Sequence, residues 1–224
     1  APYPIRSRLL EEVETGGLTI AETDHMLQRE MSAILNNLAA DADQYEFPRV
    51  LTGHFTVNGA RFGSERGIML GRDIEVLPSD IADPRWDYVA MGHIHKHQNI
   101  TEGREGLPPV VYSGSLERID FGEEHDPKGF CWVELERGKA VWEFKRVKAR
   151  PFVTIRANLR EADDPTGDLI MEIEERIDLD DAVVRVIVDL TPITEARFNE
   201  GLVRDALRQA HVNSIAAIRK EVEQ

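Results

Sequence analysis

The chain's 224 residues carry 27 Lys and Arg against 41 Asp and Glu, a formal net charge of −14. With 42% hydrophobic and 30% charged residues it has the composition of a folded globular protein, long enough for one large or two smaller domains. A single cysteine excludes an intramolecular disulfide, no apolar run nears the ~20 residues that cross a bilayer, and the acidity excludes nucleic-acid binding by bulk charge.

The first seventeen residues, with Pro2, Pro4 and Gly16-Gly17, read as an extended segment with a turn of helix around residues 9–13. From Thr19 to Ala40 the apolar residues Ile20, Leu27, Met31, Ile34, Leu35 and Leu38 recur at helical spacing. Pro48 closes that stretch, and Val50-Leu51-Thr52-Gly53-His54 reads as a short buried strand ending in Gly-His. Residues 68–77 have a weaker extended pattern. A second strand, Tyr88-Val89-Ala90-Met91, again ends in Gly-His at Gly92-His93, and Val110-Val111-Tyr112 opens into Ser113-Gly114-Ser115. Residues 130–135 and 140–147 alternate on either side of Arg137-Gly138-Lys139, which predicts a β-hairpin.

Beyond Val147 the pattern changes to strand 152–157, helix 165–177, strand 183–190, helix 194–210 and strand 213–222. Asp164-Pro165 and Pro192 with Thr194 supply the helix starts. This is a βαβαβ unit of its own. The N-terminus lacks a basic-then-apolar signal pattern, so a cytoplasmic protein without membrane contact is expected.

Three of the seven histidines carry the chemical signal. His54 and His93 each follow a strand and a glycine, and His95 extends the second turn to Gly-His-x-His. A buried strand ending in Gly-His sets an imidazole at the carboxyl edge of a sheet, where open α/β folds keep their ligands. Neutral imidazole is a common ligand for divalent transition metals. A lone histidine at a strand end is usually a hydrogen-bonded or surface residue; two matching turns point to a metal centre. Cys131 reads as packing, His97 as an exposed loop residue, and His25, His125 and His211 carry no role. Phosphate loops of the Gly-x-x-x-x-Gly-Lys type, dinucleotide fingerprints and Gly-x-Ser-x-Gly elbows are absent from the sequence. Ser113-Gly114-Ser115 could hold a phosphate by backbone amides or be a simple turn.

The stretches Val50 to His54, Tyr88 to Lys96, Tyr112 to Glu123 and Lys128 to Phe130 resemble the SbcD nuclease-subunit family, within the calcineurin-like metallophosphoesterases. Gly-His-x-His points to the superfamily; Ser-Gly-Ser-Leu-Glu-Arg-Ile-Asp-Phe-Gly-Glu is more particular to SbcD. The resemblance implies an α/β (α+β) chain. Residues 1–147 would form the C-terminal half of a four-layer α/β/β/α metallophosphoesterase sandwich, and residues 148–224 a small βαβαβ capping, DNA-recognition domain. It implies two Mn2+ (or Mg2+) ions, with His54 and His93 on one and His95 on the other. The activity implied is 3′–5′ exonuclease and endonuclease cleavage of DNA in double-strand-break repair and recombination, with an SbcC-type ATPase and a second copy of the same protein as partners. Lys96, Ser115 and Arg118, beside the predicted metal loops, are the candidate substrate contacts.

The family's Asp-x-His, Gly-Asp after a strand, and Gly-Asn-His-Asp motifs have no counterpart here. The bridging Asp, the Asn ligand and the transition-state His are therefore expected upstream, and this chain is expected to be a portion that is inactive alone. Two other readings stand beside this one: a different calcineurin-like phosphoesterase acting on nucleotides or phosphoproteins, and a non-catalytic DNA-guiding or docking module.

Overall fold

The computed structural model describes residues 19–63 and 74–223; the predicted turn of helix at 9–13 and most of the 68–77 segment lie outside the described residues. It divides into two compact units. One comprises the described residues up to Leu116 together with Asp126–Val147, the other Glu117–His125 with the residues from Lys148 onward. Each has its own hydrophobic core. Among the described residues no helix is long and apolar enough to cross a membrane.

In the first unit, helix α1 (Ile20–Ala42) starts in a capping box: the Thr19 side chain accepts from the Glu22 amide, and the Glu22 carboxylate takes the Thr19 amide at 2.8 Å. Leu27, Met31, Leu35 and Ala39, four apart, form the stripe that enters the core. Ile34 and Leu38, one step off that stripe, stay about 40% exposed.

Strands β1 (Val50–His54), β4 (Tyr88–Gly92) and β6 (Val110–Tyr112) are parallel, with β5 (Gln98–Asn99) antiparallel at the edge in the order β1-β4-β6-β5. The register pairs Val50 with Tyr88 and His54 with Gly92, so both Gly-His turns leave the sheet side by side at its carboxyl edge. Strands β2 (Thr56–Val57) and β3 (Glu75–Val76) pair in a short ladder, and the one-turn helix α2 (Pro78–Ile81) follows. The predicted hairpin forms from β7 (Gly129–Glu136) and β8 (Lys139–Arg146), closing on Arg137 and on Gly138 at φ 80°.

Tyr112 ties the sheet to the segment after β1. Its fully buried hydroxyl donates to the Phe55 carbonyl at 2.7 Å and accepts from the Val57 amide at 2.9 Å. Tyr112→Phe leaves both backbone groups unsatisfied in the core and is expected to lower unfolding free energy by about 1–3 kcal/mol. Urea denaturation checks this as a lower midpoint with an unchanged slope.

In the second unit, β9 (Phe152–Asn158), β10 (Val183–Leu190) and β11 (Ser214–Val222) form a parallel sheet with β10 in the centre. Val184, Val186, Val188 and Leu190 of β10 are fully buried, packed with Leu169 and Ile173 of helix α3 (Pro165–Glu175). The predicted single helix over 194–210 is two helices, α4 (Pro192–Arg197) and α5 (Glu200–Gln209). Phe198 turns extended at ψ 120° and its ring goes into the core. Asn199 then caps α5, accepting from the Gly201 and Leu202 amides. An Asn that bonds the next turn's amides competes with helix continuation, which spacing alone did not reveal.

The 117–125 loop is bound into this unit. Glu124 accepts from the amide and hydroxyl of Thr154 at 2.9 and 2.7 Å. Phe121 packs edge-on against Phe152, and the Arg185 guanidinium sits 4.3 Å above the Phe121 ring.

Candidate functional site

The carboxyl edge of β1 and β4 brings His54 and His93 together: their rings meet edge to face with centroids 5.1 Å apart. Gly92 makes the approach possible. A Cβ there would lie 2.9 Å from His54 Nδ1, so any larger residue pushes the imidazole aside. Ile94, buried in the core, pins the turn between His93 and His95.

His93 has φ 92°, a left-handed backbone that side-chain-bearing residues rarely adopt. Such a conformation costs about 1–3 kcal/mol and persists where the surroundings impose it, typically at a functional site. Burial, with His93 and His95 adding charge repulsion, lowers the pKa of His54 below its ordinary value. The imidazole is thereby kept neutral, the form whose lone pair can bind a metal.

The predicted site residues divide between the two units. His54, His93 and His95 form one neighbourhood. Ser115 joins it: its amide donates to the His95 carbonyl at 3.2 Å, and Gly114, at φ 81°, lies so close that a Cβ would be 2.8 Å from that carbonyl oxygen. Lys96, next in chain, forms an ion pair with Asp126 at 2.8 Å. Arg118 is held in the second unit, where its guanidinium donates to the carbonyls of Glu123, Glu124 and Arg150.

One residue emerges that the sequence did not single out, and one is placed differently from expectation. Lys128 is 2% exposed, and its ammonium reaches the His95 carbonyl at 3.3 Å and the Ser115 hydroxyl at 2.9 Å, pinning the histidine turn to the Ser-Gly-Ser turn. The signal was the Lys-Gly-Phe start of β7, though a lysine before a strand does not announce burial. His97 is not the exposed loop residue expected. It is half-buried and stacked on Phe144 at 4.0 Å, with Nδ1 2.9 Å from the Tyr112 carbonyl, so Nδ1 carries the hydrogen.

As a donor set these residues are nitrogen-only. Among the described residues no group of three or more His, Cys, Asp or Glu side chains is arranged to hold a metal ion. The paired imidazoles, one kept neutral by burial, suit a borderline divalent cation as part of a coordination shell that needs further donors.

No known family's sequence profile matches the chain. Curated proteins do. It is 31% identical over 115 residues to the SbcD subunit of the SbcCD nuclease from Staphylococcus saprophyticus, covering 50% of this chain and 29% of that protein. It is 28% identical over 152 residues to the SbcD protein of Staphylococcus epidermidis, covering 67% and 36%. A third match, to the SbcD protein of Rhodobacter capsulatus, is 33% identical over 98 residues, covering 42% and 22%. The matched stretches thus span about a fifth to a third of the relatives' own length. Over these stretches the chain is SbcD-like.

Proposed function

We propose that the chain is part of a DNA nuclease of the SbcD type, contributing imidazole ligands to a dimetal phosphodiesterase centre within a metallophosphoesterase sandwich. The observation that carries the reading is the convergence of His54 and His93 at the carboxyl edge of adjacent parallel strands, with His93 held at φ 92°. A strained histidine placed against a second imidazole answers to a ligand better than to packing.

In this reading His54 and His93 hold one ion and His95 the second, Mn2+ by resemblance, with carboxylates from outside these 224 residues completing both shells. Bound divalent ions supply charge to offset that developing on the scissile phosphate and a water activated near neutral pH. The chain's own residues do the positioning. Gly92 admits the His54 ring, Ile94 anchors the turn, and Lys128 and the Ser115 amide fix the His95 backbone. The relatives' names support a nuclease subunit of an SbcCD complex; the phosphodiester substrate, the SbcC-type ATPase partner and a role in break repair are part of this proposal by resemblance.

The test is Mn2+ titration by electron paramagnetic resonance, paired with a nuclease assay on linear duplex DNA. Weak Mn2+ binding that disappears when His54 and His93 are both replaced by Ala is expected, with the DNA left intact by the chain alone. Mn2+ binding unchanged in that double variant overturns the ligand assignment. Rapid Mn2+-dependent degradation by the 224-residue chain overturns the incomplete donor set.

A further inference from the structure

Immediately after the histidine turn, the chain lines a cavity of about 530 Å3 in the first unit, with walls from residues 58, 59, 61, Pro78, 96–100, Glu102, Arg104 and Trp142. That volume falls within the ~300–1,000 Å3 of small-ligand sites. The lining reverses the charge of the molecule: Arg61, Lys96 and Arg104 face a single carboxylate, Glu102, in a chain whose net charge is −14. Lys96 is paired with Asp126, whereas neither Arg61 nor Arg104 forms an ion pair with a described residue.

The backbone that carries Arg61 is held in place. Arg61 donates its amide to the Gln98 side-chain oxygen at 2.8 Å, and the Gln98 amide group donates back to the Arg61 carbonyl at 2.8 Å. That reciprocal pair fixes the Arg61 backbone to edge strand β5. Two aromatic side chains also line the cavity, His97 and Trp142, edge-on to each other with centroids 5.8 Å apart, and His97 is backed by Phe144, stacked 10° from parallel. Cations beside aromatic faces recognise a ligand that joins an anion to a planar ring, since guanidinium takes phosphate oxygens and any base can stack.

We infer that this cavity binds a nucleoside monophosphate, the product class of an exonuclease, with Arg61 and Arg104 on the phosphate and Trp142 against the base. The choice of a nucleotide rests on the nuclease reading; the cavity, its charge and its rings do not. It is a holding site that follows the histidine turn in the chain and forms without metal.

The experiment is calorimetric titration of the 224-residue chain with dAMP in buffer containing EDTA, alongside deoxyadenosine and inorganic phosphate. Saturable dAMP binding is expected, stronger than that of either half-ligand. Arg61→Ala and Arg104→Ala should each weaken it about tenfold, the loss of one charged contact. Trp142→Leu should weaken it and remove any tryptophan quenching, with each variant's unfolding midpoint reported beside it. Absence of saturable binding overturns the inference, as does dAMP affinity unchanged in both arginine variants, or phosphate competing as well as dAMP. Because the titration is run in EDTA, dAMP binding is read without any metal, so failure of the metal centre and failure of this cavity show as separate results.

Discussion

Replacing His93 by Gly is expected to lower Mn2+ affinity at least ~100-fold without destabilising the fold. The protein pays for His93: at φ 92° a residue with a Cβ stores about 1–3 kcal/mol, which glycine does not. Glycine in turn loses more backbone entropy on folding, by about 0.5–1 kcal/mol. The balance leaves His93→Gly as stable as the parent or about 1 kcal/mol more stable. His93→Ala separates the effects, because it removes the imidazole but keeps the strain. Both variants should lose Mn2+ binding, and the glycine variant, which alone relieves the strain, should be the more stable of the two in a denaturant titration. In any assembly with nuclease activity, activity should fall along with the metal. A His93→Gly protein that binds Mn2+ as the parent does removes the ligand assignment. One that binds no Mn2+ but unfolds well below the parent shows the histidine to be a packing residue.

The sequence made the scaffold of this site readable because each relevant pattern is local. Val50 to His54 and Tyr88 to His93 announce themselves as strand, glycine and histidine within six residues, and their parallel register follows from β1 and β4 lying side by side. The hairpin and the βαβαβ unit are legible for the same reason: alternation, a Gly turn and Pro-marked helix starts need no knowledge of distant residues. What escaped was decided by contacts far apart in sequence. Lys128 becomes a buried pin only when β7 delivers it to a carbonyl thirty-three residues away. Arg118 sits three residues beyond Ser115, yet its partners include the Arg150 carbonyl. The left-handed backbone of His93 has no sequence signature, because nothing in Gly-His-Ile-His distinguishes an imposed φ from a relaxed one. The break at Phe198-Asn199 was the exception, since a capping Asn is a local signal and the helical spacing across it masked it.

The opposite end of the same sheet carries the largest expected stability effect. Asp87, its side chain 2% exposed, sits just before β4 and gathers three donors: the Arg49 amide at 2.7 Å, the Gly138 amide at 2.8 Å and the Arg137 guanidinium at 2.7 Å. The Asp87 amide returns a bond to the Arg49 carbonyl at 2.9 Å, so one carboxylate joins the starts of β1 and β4 to the hairpin turn. Asp87→Ala strands two backbone amides and a guanidinium at once, and is expected to cost about 3–5 kcal/mol, as for breaking a buried ion pair. Asp87→Asn keeps an acceptor but not the charge and should cost less. Burial alone would raise the Asp87 pKa, but the Arg49 and Gly138 amides and Arg137 outweigh it and hold the pKa below the ordinary carboxylate value. The sign of the pH effect follows. A carboxylate with a depressed folded pKa contributes stability in full above its unfolded pKa of about 3.9, and loses it as pH falls through the lower folded value. The parent should therefore lose stability below about pH 4 more steeply than Asp87→Asn, with the two curves converging in acid. Urea titrations across pH 2–7 read this directly. Parallel curves for the two proteins would mean that Asp87 binds its proton equally in the folded and unfolded chain, which three converging donors forbid. Because Asp87 lies at the amino end of the strands and the histidines at the carboxyl end, Asp87→Asn should leave Mn2+ affinity unchanged at neutral pH. On these expectations, the Asp87 contribution to stability and the proposed metal binding lie at opposite edges of one sheet.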